Sequence, residues 1–158
     1  MIIFDINEYK NFLKEGYRII CFDVGQVRIG TALSDTTQIL ATPYLLINTK
    51  KQKFTLASLK SIIDKENIYG IVVGNPLQMD GEKGSACLMV DKFINKYLIP
   101  LEQPIFLQDE RMSSAAVNRY FKDMELSRKQ QVDLNDTAAA SYILQIALDK
   151  LSNLKRDN

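Results

Sequence analysis

The chain has 158 residues, of which 46% are hydrophobic and 25% are charged, a balance typical of a single soluble globular domain. It contains no histidine, which excludes histidine-based acid–base catalysis and histidine-ligated zinc sites. The formal net charge of only +1 disfavours a protein that coats nucleic acid broadly, but it allows a local basic surface.

Cysteine usage and hydropathy indicate a cytoplasmic protein. Cys21 and Cys87 fit no metal or redox spacing and are expected to be reduced, buried thiols. No stretch approaches the roughly 20 apolar residues that span a bilayer, and the N-terminal residues lack the features of a signal peptide. We therefore expect one domain over residues 1–158, with a frayed tail at 155–158.

The first half of the chain predicts a helix followed by three strands. The helix is expected over residues 5–16, opened by the capping pattern of Asp5 and Glu8. Strands are predicted over residues 18–24, 28–33 and 41–47. The tight turn at Gly25 makes the first two strands antiparallel neighbours. Pro43 indicates an edge position for the third strand.

In the second half, helices alternate with strands. Helices are predicted over residues 54–66, 83–97, 113–122 and 136–154, and strands over 68–73 and 104–107. The polar segment 127–135 is expected to be a loop before the last helix. This order predicts an α/β fold with a mixed central sheet of about five strands and helices on both faces.

Carboxylates stand at the ends of predicted elements in three separate places. Asp23 ends an apolar strand, Asp109 and Glu110 follow another strand, and Asp136 precedes an alanine-rich helix. Because the carboxyl ends of parallel strands share one edge of a sheet, we expect these acids to meet there. Adjacent strand residues point to opposite sides, so at most one of Asp109 and Glu110 faces Asp23. Capping of a turn or a helix is the alternative for each acid taken alone.

A cluster of acids of this kind is stabilised by a cation. Carboxylates a few ångströms apart repel by about 4 kcal/mol per pair at an effective dielectric near 20. Ligands that are all oxygen suit a hard ion, Mg²⁺ or Mn²⁺. Two such ions about 3.5–4 Å apart can activate water and stabilise the leaving oxygen of a phosphodiester. The pattern of acids therefore predicts a metal-dependent nuclease.

Several spaced motifs lie between residues 17 and 151. They are Asp23-Val24-Gly25, Arg28-Ile29-Gly30, Ala32-Leu33-Ser34-Asp35, Ala41-Thr42-Pro43, Val72-Val73-Gly74-Asn75-Pro76-Leu77, Met79-Asp80-Gly81 with Gly84, Asp109-Glu110-Arg111 with Ser113-Ser114, and Asp136 with Ala138-Ala139 and Ile143-Leu144-Gln145. In this order they resemble the YqgF/RuvX family. The resemblance implies an RNase H-like fold related to the RuvC resolvases, and a nuclease that matures the 5′ end of pre-16S rRNA. A Holliday-junction resolvase role has also been proposed for the family.

The resemblance also implies roles for individual residues. The family's catalytic acids correspond to Asp23, Glu110 and Asp136, and the metal ligands to the same three acids with Asp109. Nucleic-acid contacts are expected from Gly25, Arg28, Asn75, Arg111 and Ser113. For the two arginines, pairing with Asp35 or Asp109 is the structural alternative. Val27 and Asn75 replace residues that are usually basic and apolar in the family, which bears on substrate affinity more than on metal binding.

The expected partner is nucleic acid, with structured or single-stranded RNA favoured and branched DNA as the alternative. We expect no membrane partner, and either a monomer or a homodimer.

Two other function classes remain open. One is an ATPase of the sugar-kinase or chaperone type, which shares the Asp-x-Gly turn, although 158 residues leave no room for its paired domain. The other is a non-catalytic nucleic-acid or ribosome-binding module on a nuclease fold.

Overall fold

The computed structural model describes residues 1–51, 54–76, 84–109 and 128–157, and in the last of these ranges it describes side chains from 137 to 155. The helix predicted over residues 113–122 falls outside these ranges. No helix in the described ranges has both the length and the hydropathy needed to cross a bilayer.

Within these ranges a six-stranded mixed sheet forms the centre of the protein. Its strands are β1 (Ile2–Ile3), β2 (Arg18–Val24), β3 (Arg28–Ser34), β4 (Ala41–Asn48), β5 (Ile68–Asn75) and β6 (Ile105–Asp109). They lie in the order β1-β6-β5-β2-β3-β4. β3 is antiparallel to β2 and to β4, whereas β2, β5, β6 and β1 run parallel. The predicted mixed sheet and the edge position of β4 are both confirmed.

Helices cover both faces of the sheet. They are α1 (Ile6–Phe12), α2 (Leu56–Lys65), α3 (Ser85–Phe93) and α4 (Arg128–Asp157). The Asp5 carboxylate caps α1 by accepting the Asn7 N–H at 2.8 Å. Thr55 and Ser58 form a reciprocal capping box that opens α2. α3 continues into a π turn (Ile94–Leu98) and a 3₁₀ turn (Ile99–Leu101).

Two apolar cores, one on each face, hold these layers together. The first core packs α2 and α3 against alternate strand residues, among them Ile20, Phe22, Val73, Ile105 and Leu107. The second core packs α1 and α4 against the strand residues that alternate with those of the first core. These include Ile19, Cys21, Val72 and Phe106. This alternation follows from the two-residue period of a strand. It confirms the predicted α/β fold with a mixed sheet and helices on both faces.

One strand was missed at the N-terminus, and the boundaries of two predicted helices are corrected. β1 was not predicted, because its two residues give no periodicity and it forms only by pairing with β6. The first helix spans Ile6–Phe12 rather than 5–16, since Leu13 is already extended. The helix predicted over 83–97 is regular only as far as Phe93, after which the backbone widens into the π turn.

The prediction for the last helix was wrong at its start. Residues 127–135 were expected to be a loop, but α4 is already helical at Arg128. Asp136 is therefore an interior helical residue and does not cap the helix. The polar composition of this segment suggested a loop, although most of its residues have adequate helix propensity.

Candidate functional site

The strands that carry the predicted site residues end at one rim of the sheet. β2, β5 and β6 are parallel, and they end at Val24, Asn75 and Asp109. β3 runs the other way, so Arg28 begins it at the same rim. In an open sheet, the edge at the carboxyl ends of parallel strands is where ligands bind. We refer to this edge as the carboxyl rim.

Asp23 lies one residue before the end of β2 and is half-buried. Its partner across the antiparallel pair is Gly30, which has no side chain to cover it. Cys21 lies in the core beneath α1 and α4, whereas Phe22 lies in the core beneath α2 and α3. Because side chains alternate along a strand, Asp23 is on the side of Cys21, facing the layer that contains α4.

Asp109 ends β6 on the opposite face. It is in register with Asn75 at the end of β5. The side-chain oxygen of Asn75 accepts a weak hydrogen bond from the Cys87 thiol in α3, with Sγ and Oδ1 3.5 Å apart. Leu107, two residues before Asp109, lies in the core beneath α2 and α3. The structure thus brings Asp23 and Asp109 to one rim but places them on different faces of the sheet.

Gln108 is a residue near the carboxyl rim that the sequence reasoning missed. Its exposed fraction is only 4%, and it lies on the same face as Asp23. Its side-chain oxygen accepts a hydrogen bond from the Lys150 ammonium of α4 at 3.3 Å. Its amide nitrogen donates to the Asp109 carbonyl at 3.2 Å. The signal in the sequence was a polar residue between the apolar run Ile105–Leu107 and Asp109, the last residue of β6.

The turn between β2 and β3 places Arg28 at the same rim as Asp23. The Gly25 N–H donates to the Arg28 carbonyl at 2.9 Å, which closes a two-residue loop of Gln26 and Val27. A Cβ at position 25 would lie 2.6 Å from that carbonyl oxygen. Glycine is therefore required here by the close approach of the backbone.

The opposite end of the sheet is built around Asp35, which turns the chain from β3 into β4. Its carboxylate accepts the N–H groups of Ile39 and Leu40 at 2.8 and 2.9 Å, and the Thr37 hydroxyl also donates to it. Partial burial raises the pKa of Asp35, but these hydrogen bonds outweigh it and lower the pKa to about 2. Asp35 thus acts as a structural turn residue.

The remaining predicted site residues are less completely described. Glu110, Arg111 and Ser113 lie outside the described ranges, and for Asp136 the structure gives the backbone alone. In the part of the chain that is described, no three Asp, Glu, Cys or His side chains are grouped so that they could hold a metal ion. The shared set of metal ligands therefore stays a prediction.

Comparison with known proteins identifies the family. A family model described as "RuvX: Holliday junction resolvase" matches residues 17–150. The chain belongs to the RuvX family. The resemblance inferred from the motifs is thereby confirmed.

Relatives with similar sequences span essentially the whole chain. A Rickettsia akari protein named "Putative pre-16S rRNA nuclease" is 33% identical over 154 residues, which is 98% of this chain and 100% of the relative. A Rhodospirillum rubrum protein of the same name is 38% identical over 154 residues, covering 96% of this chain and 94% of the relative. Among solved structures, the fowlpox virus Holliday junction resolvase aligns with 87% of this chain and 99% of its own at 15% identity, with a TM-score of 0.43. The assignment to the RuvX family rests on the sequence matches alone.

Proposed function

We propose that this protein is a divalent-metal-dependent nuclease whose centre is Asp23. The supporting observation is the position of Asp23 at the carboxyl end of an interior strand, beside the tight Gly25 turn and opposite Gly30. Partial burial of a carboxylate costs free energy that apolar packing does not offset, whereas a bound cation would stabilise the carboxylate here. Relatives that are 33% and 38% identical carry the name "Putative pre-16S rRNA nuclease", which agrees with this assignment.

The other two proposed ligands are Glu110 and Asp136. Asp109 projects on the face away from Asp23, so strand alternation predicts that the next carboxylate along the chain, Glu110, is the one suited to join it. Position 136 stands four and seven residues before Ala140 and Ile143, both of which are buried against the sheet. Helical spacing supports the proposal that this position of α4 belongs to the stripe on Asp23's side of the sheet.

These residues fit a hard cation in the chemistry of their donors. Every proposed ligand is a carboxylate, and such ligands favour Mg²⁺ or Mn²⁺ over softer metals. The bound ions would supply an activated water and charge stabilisation at the leaving oxygen. Asp23 would hold and orient the metal. The Gly25 turn would hold the protein backbone at Arg28 beside the metal site. Arg28 would engage a non-bridging phosphate oxygen of the substrate.

The proposed substrate is the precursor of 16S rRNA, cut near the mature 5′ end. This finer assignment is supported by the name that the relatives share. A four-way DNA junction is the second candidate, because the description of the matching family model is a Holliday junction resolvase. Nothing in Asp23 or its turn distinguishes the two, since both present the same phosphodiester to the metal.

Parallel cleavage assays test the proposal. The purified protein is incubated with an RNA that carries the precursor 5′ extension, with a four-way DNA junction and with ATP, each in Mg²⁺, Mn²⁺ or EDTA. We expect metal-dependent cleavage of the RNA that is lost in Asp23→Asn. Cleavage of the junction alone would move the assignment to a resolvase, and phosphate release from ATP alone would indicate an ATPase. Binding without cleavage in every metal would contradict the nuclease and indicate a non-catalytic module.

A further inference from the structure

Positive charge is concentrated on one flank of the carboxyl rim. The β2–β3 turn (residues 24–28) and the segment that leaves β4 (residues 48–51) contain Arg28, Lys50 and Lys51 but no acidic residue. At the opposite end of the sheet, by contrast, charges of both signs are mixed, including Lys14, Glu15, Asp35, Asp64, Lys65 and Glu66. A protein with a net charge of only +1 must attract a polyanion through such a local surface.

The segment with the two lysines is held firmly against the β2–β3 turn. The Asn48 side-chain oxygen accepts the backbone N–H groups of Lys50 and Lys51 at 3.0 and 3.2 Å. The backbone N–H and the hydroxyl of Thr49 both donate to the Val27 carbonyl, at 2.9 and 3.0 Å. These bonds fix the Thr49–Lys51 segment in place while its side chains remain exposed.

The register of the sheet gives the distance from this segment to the proposed metal site. Asp23 pairs with Gly30 on β3, and Arg28 pairs with Asn48 on β4. Two strand spacings separate β2 from β4, which amounts to about 10 Å across the sheet. Asn48, where the segment begins, lies two residues beyond Leu46, the β4 partner of Gly30, which adds about 7 Å along the strand. The direct distance is therefore about 12 Å, the axial rise of about four nucleotides in one strand of a duplex. A nucleic-acid strand held at Asp23 could therefore reach the two lysines within a few phosphates.

We propose that Lys50 and Lys51 bind the phosphate backbone of the nucleic-acid substrate as it passes from the carboxyl rim over the edge formed by β4. The inference rests on the proposed nuclease function and adds the path that its substrate takes. β4 is the outer strand on this side, so the substrate leaves the sheet without crossing another element of the described chain. The contacts are to phosphates, so they contribute affinity and register rather than sequence preference.

The test compares two double variants with the same loss of charge. Lys50→Gln/Lys51→Gln removes the proposed contacts. Lys60→Gln/Lys65→Gln removes two exposed lysines from α2, away from this flank. Binding of a fluorescent single-stranded RNA is measured in EDTA over a range of salt concentrations, and cleavage is measured with Mn²⁺ at saturating enzyme. Thermal melting checks that every variant folds.

We expect the Lys50/Lys51 variant to bind more weakly than wild type by about tenfold or more at low salt, and its slope of log affinity against log salt to fall by about 1.4 for two lost phosphate contacts. Its loss of affinity should exceed any loss in its cleavage rate at saturating enzyme, since contacts that position the substrate chiefly affect binding. The α2 variant should match wild type. Equal affinities and slopes for the two double variants would overturn the inference.

The two proposals fail in different ways. If wild type binds RNA but cleaves nothing in any metal, the nuclease function is lost, and the salt slopes still decide whether the lysines bind phosphate. If wild type cleaves and the Lys50/Lys51 variant binds as wild type does, only the substrate path is lost. If wild type does not bind RNA or junction DNA at all, both proposals are overturned.

Discussion

Asp23 and Asp109 lie at the same rim of the sheet, on two strands separated by β5, but they project from opposite faces. Asp23 follows Cys21 on the face covered by α4, and Asp109 follows Leu107 on the face covered by α2 and α3. The difference arises from register, because each residue is fixed by the alternation of its own strand. Two acids that look equivalent in the sequence are therefore expected to contribute unequally to metal binding.

The first prediction compares these two acids. Asp23→Asn should lower the cleavage rate by more than about a hundredfold, because losing a ligand costs more than the 10–100-fold loss seen when an outer hydrogen-bond partner of a ligand is removed. Asp109→Asn should lower it by less than about tenfold. Single-turnover cleavage in Mg²⁺ measures both. Neither change should reduce the melting temperature much, and a large loss in Asp23→Asn would instead mark a structural cap.

The second prediction concerns the Gly25 turn. Gly25→Ala places a Cβ 2.6 Å from the Arg28 carbonyl, so the turn must shift. We expect a loss of about 1–3 kcal/mol in the free energy of unfolding, together with a loss of cleavage, since Arg28 moves with the turn.

Gly16→Ala is the matched control, because Gly16 has a φ of +83° but no neighbour within 4 Å. It should lose about 1–2 kcal/mol but keep its cleavage rate once folded. Full activity in folded Gly25→Ala would contradict the role given to the turn.

The third prediction concerns Tyr9, which is fully buried and donates its hydroxyl hydrogen to the Ile71 carbonyl at 3.1 Å. Burial raises the pKa of Tyr9 well above 10.0, and the nearby Cys21 adds to this effect. A raised folded-state pKa gives stability that is present below the unfolded value, near pH 10, and is lost as the pH rises further. Tyr9→Phe should cost about 1 kcal/mol at neutral pH and flatten the alkaline decline in stability. Denaturant unfolding at pH 7 and at pH 10.5 measures both effects.

The fourth prediction concerns acid stability. The pKa of Asp35 is lowered from 3.8 to about 2 in the folded protein, so its ionised form contributes stability above the unfolded value. That contribution should be lost as the pH falls from about 4 towards 2. In Asp35→Asn, melting curves should show a lower melting temperature at pH 6 and a smaller fall between pH 4 and pH 2. Parallel curves for both proteins over this range would contradict the assignment.

Much of the fold was predictable because its signals are local. The apolar runs of β2, β5 and β6 are buried on both faces, and such strands are recognisable as continuous hydrophobic segments. The Gly25 turn fixed the first hairpin, and Pro43 correctly indicated an edge strand. The family followed from several spaced motifs, each of which is weak by itself.

The features that sequence reasoning missed depend on contacts between distant segments. β1 exists only because Ile2 and Ile3 pair with Ile105 and Phe106, more than 100 residues away. The start of α4 was misplaced because a polar segment is compatible with either a loop or an exposed helix. The face of Asp109 could not be assigned without the register of β6 against β5. The hydrogen bond between Gln108 and Lys150 could not be predicted, because only the packing of α4 brings the two residues together.

The most direct test of the proposed metal site is anomalous diffraction from crystals of the protein soaked in Mn²⁺. We predict a Mn²⁺ peak bound by carboxylate oxygens of Asp23, Glu110 and Asp136 at about 2.0–2.2 Å, which is lost in crystals of Asp23→Asn. A peak that does not involve Asp23, or no peak with the three carboxylates held well apart, would contradict the account.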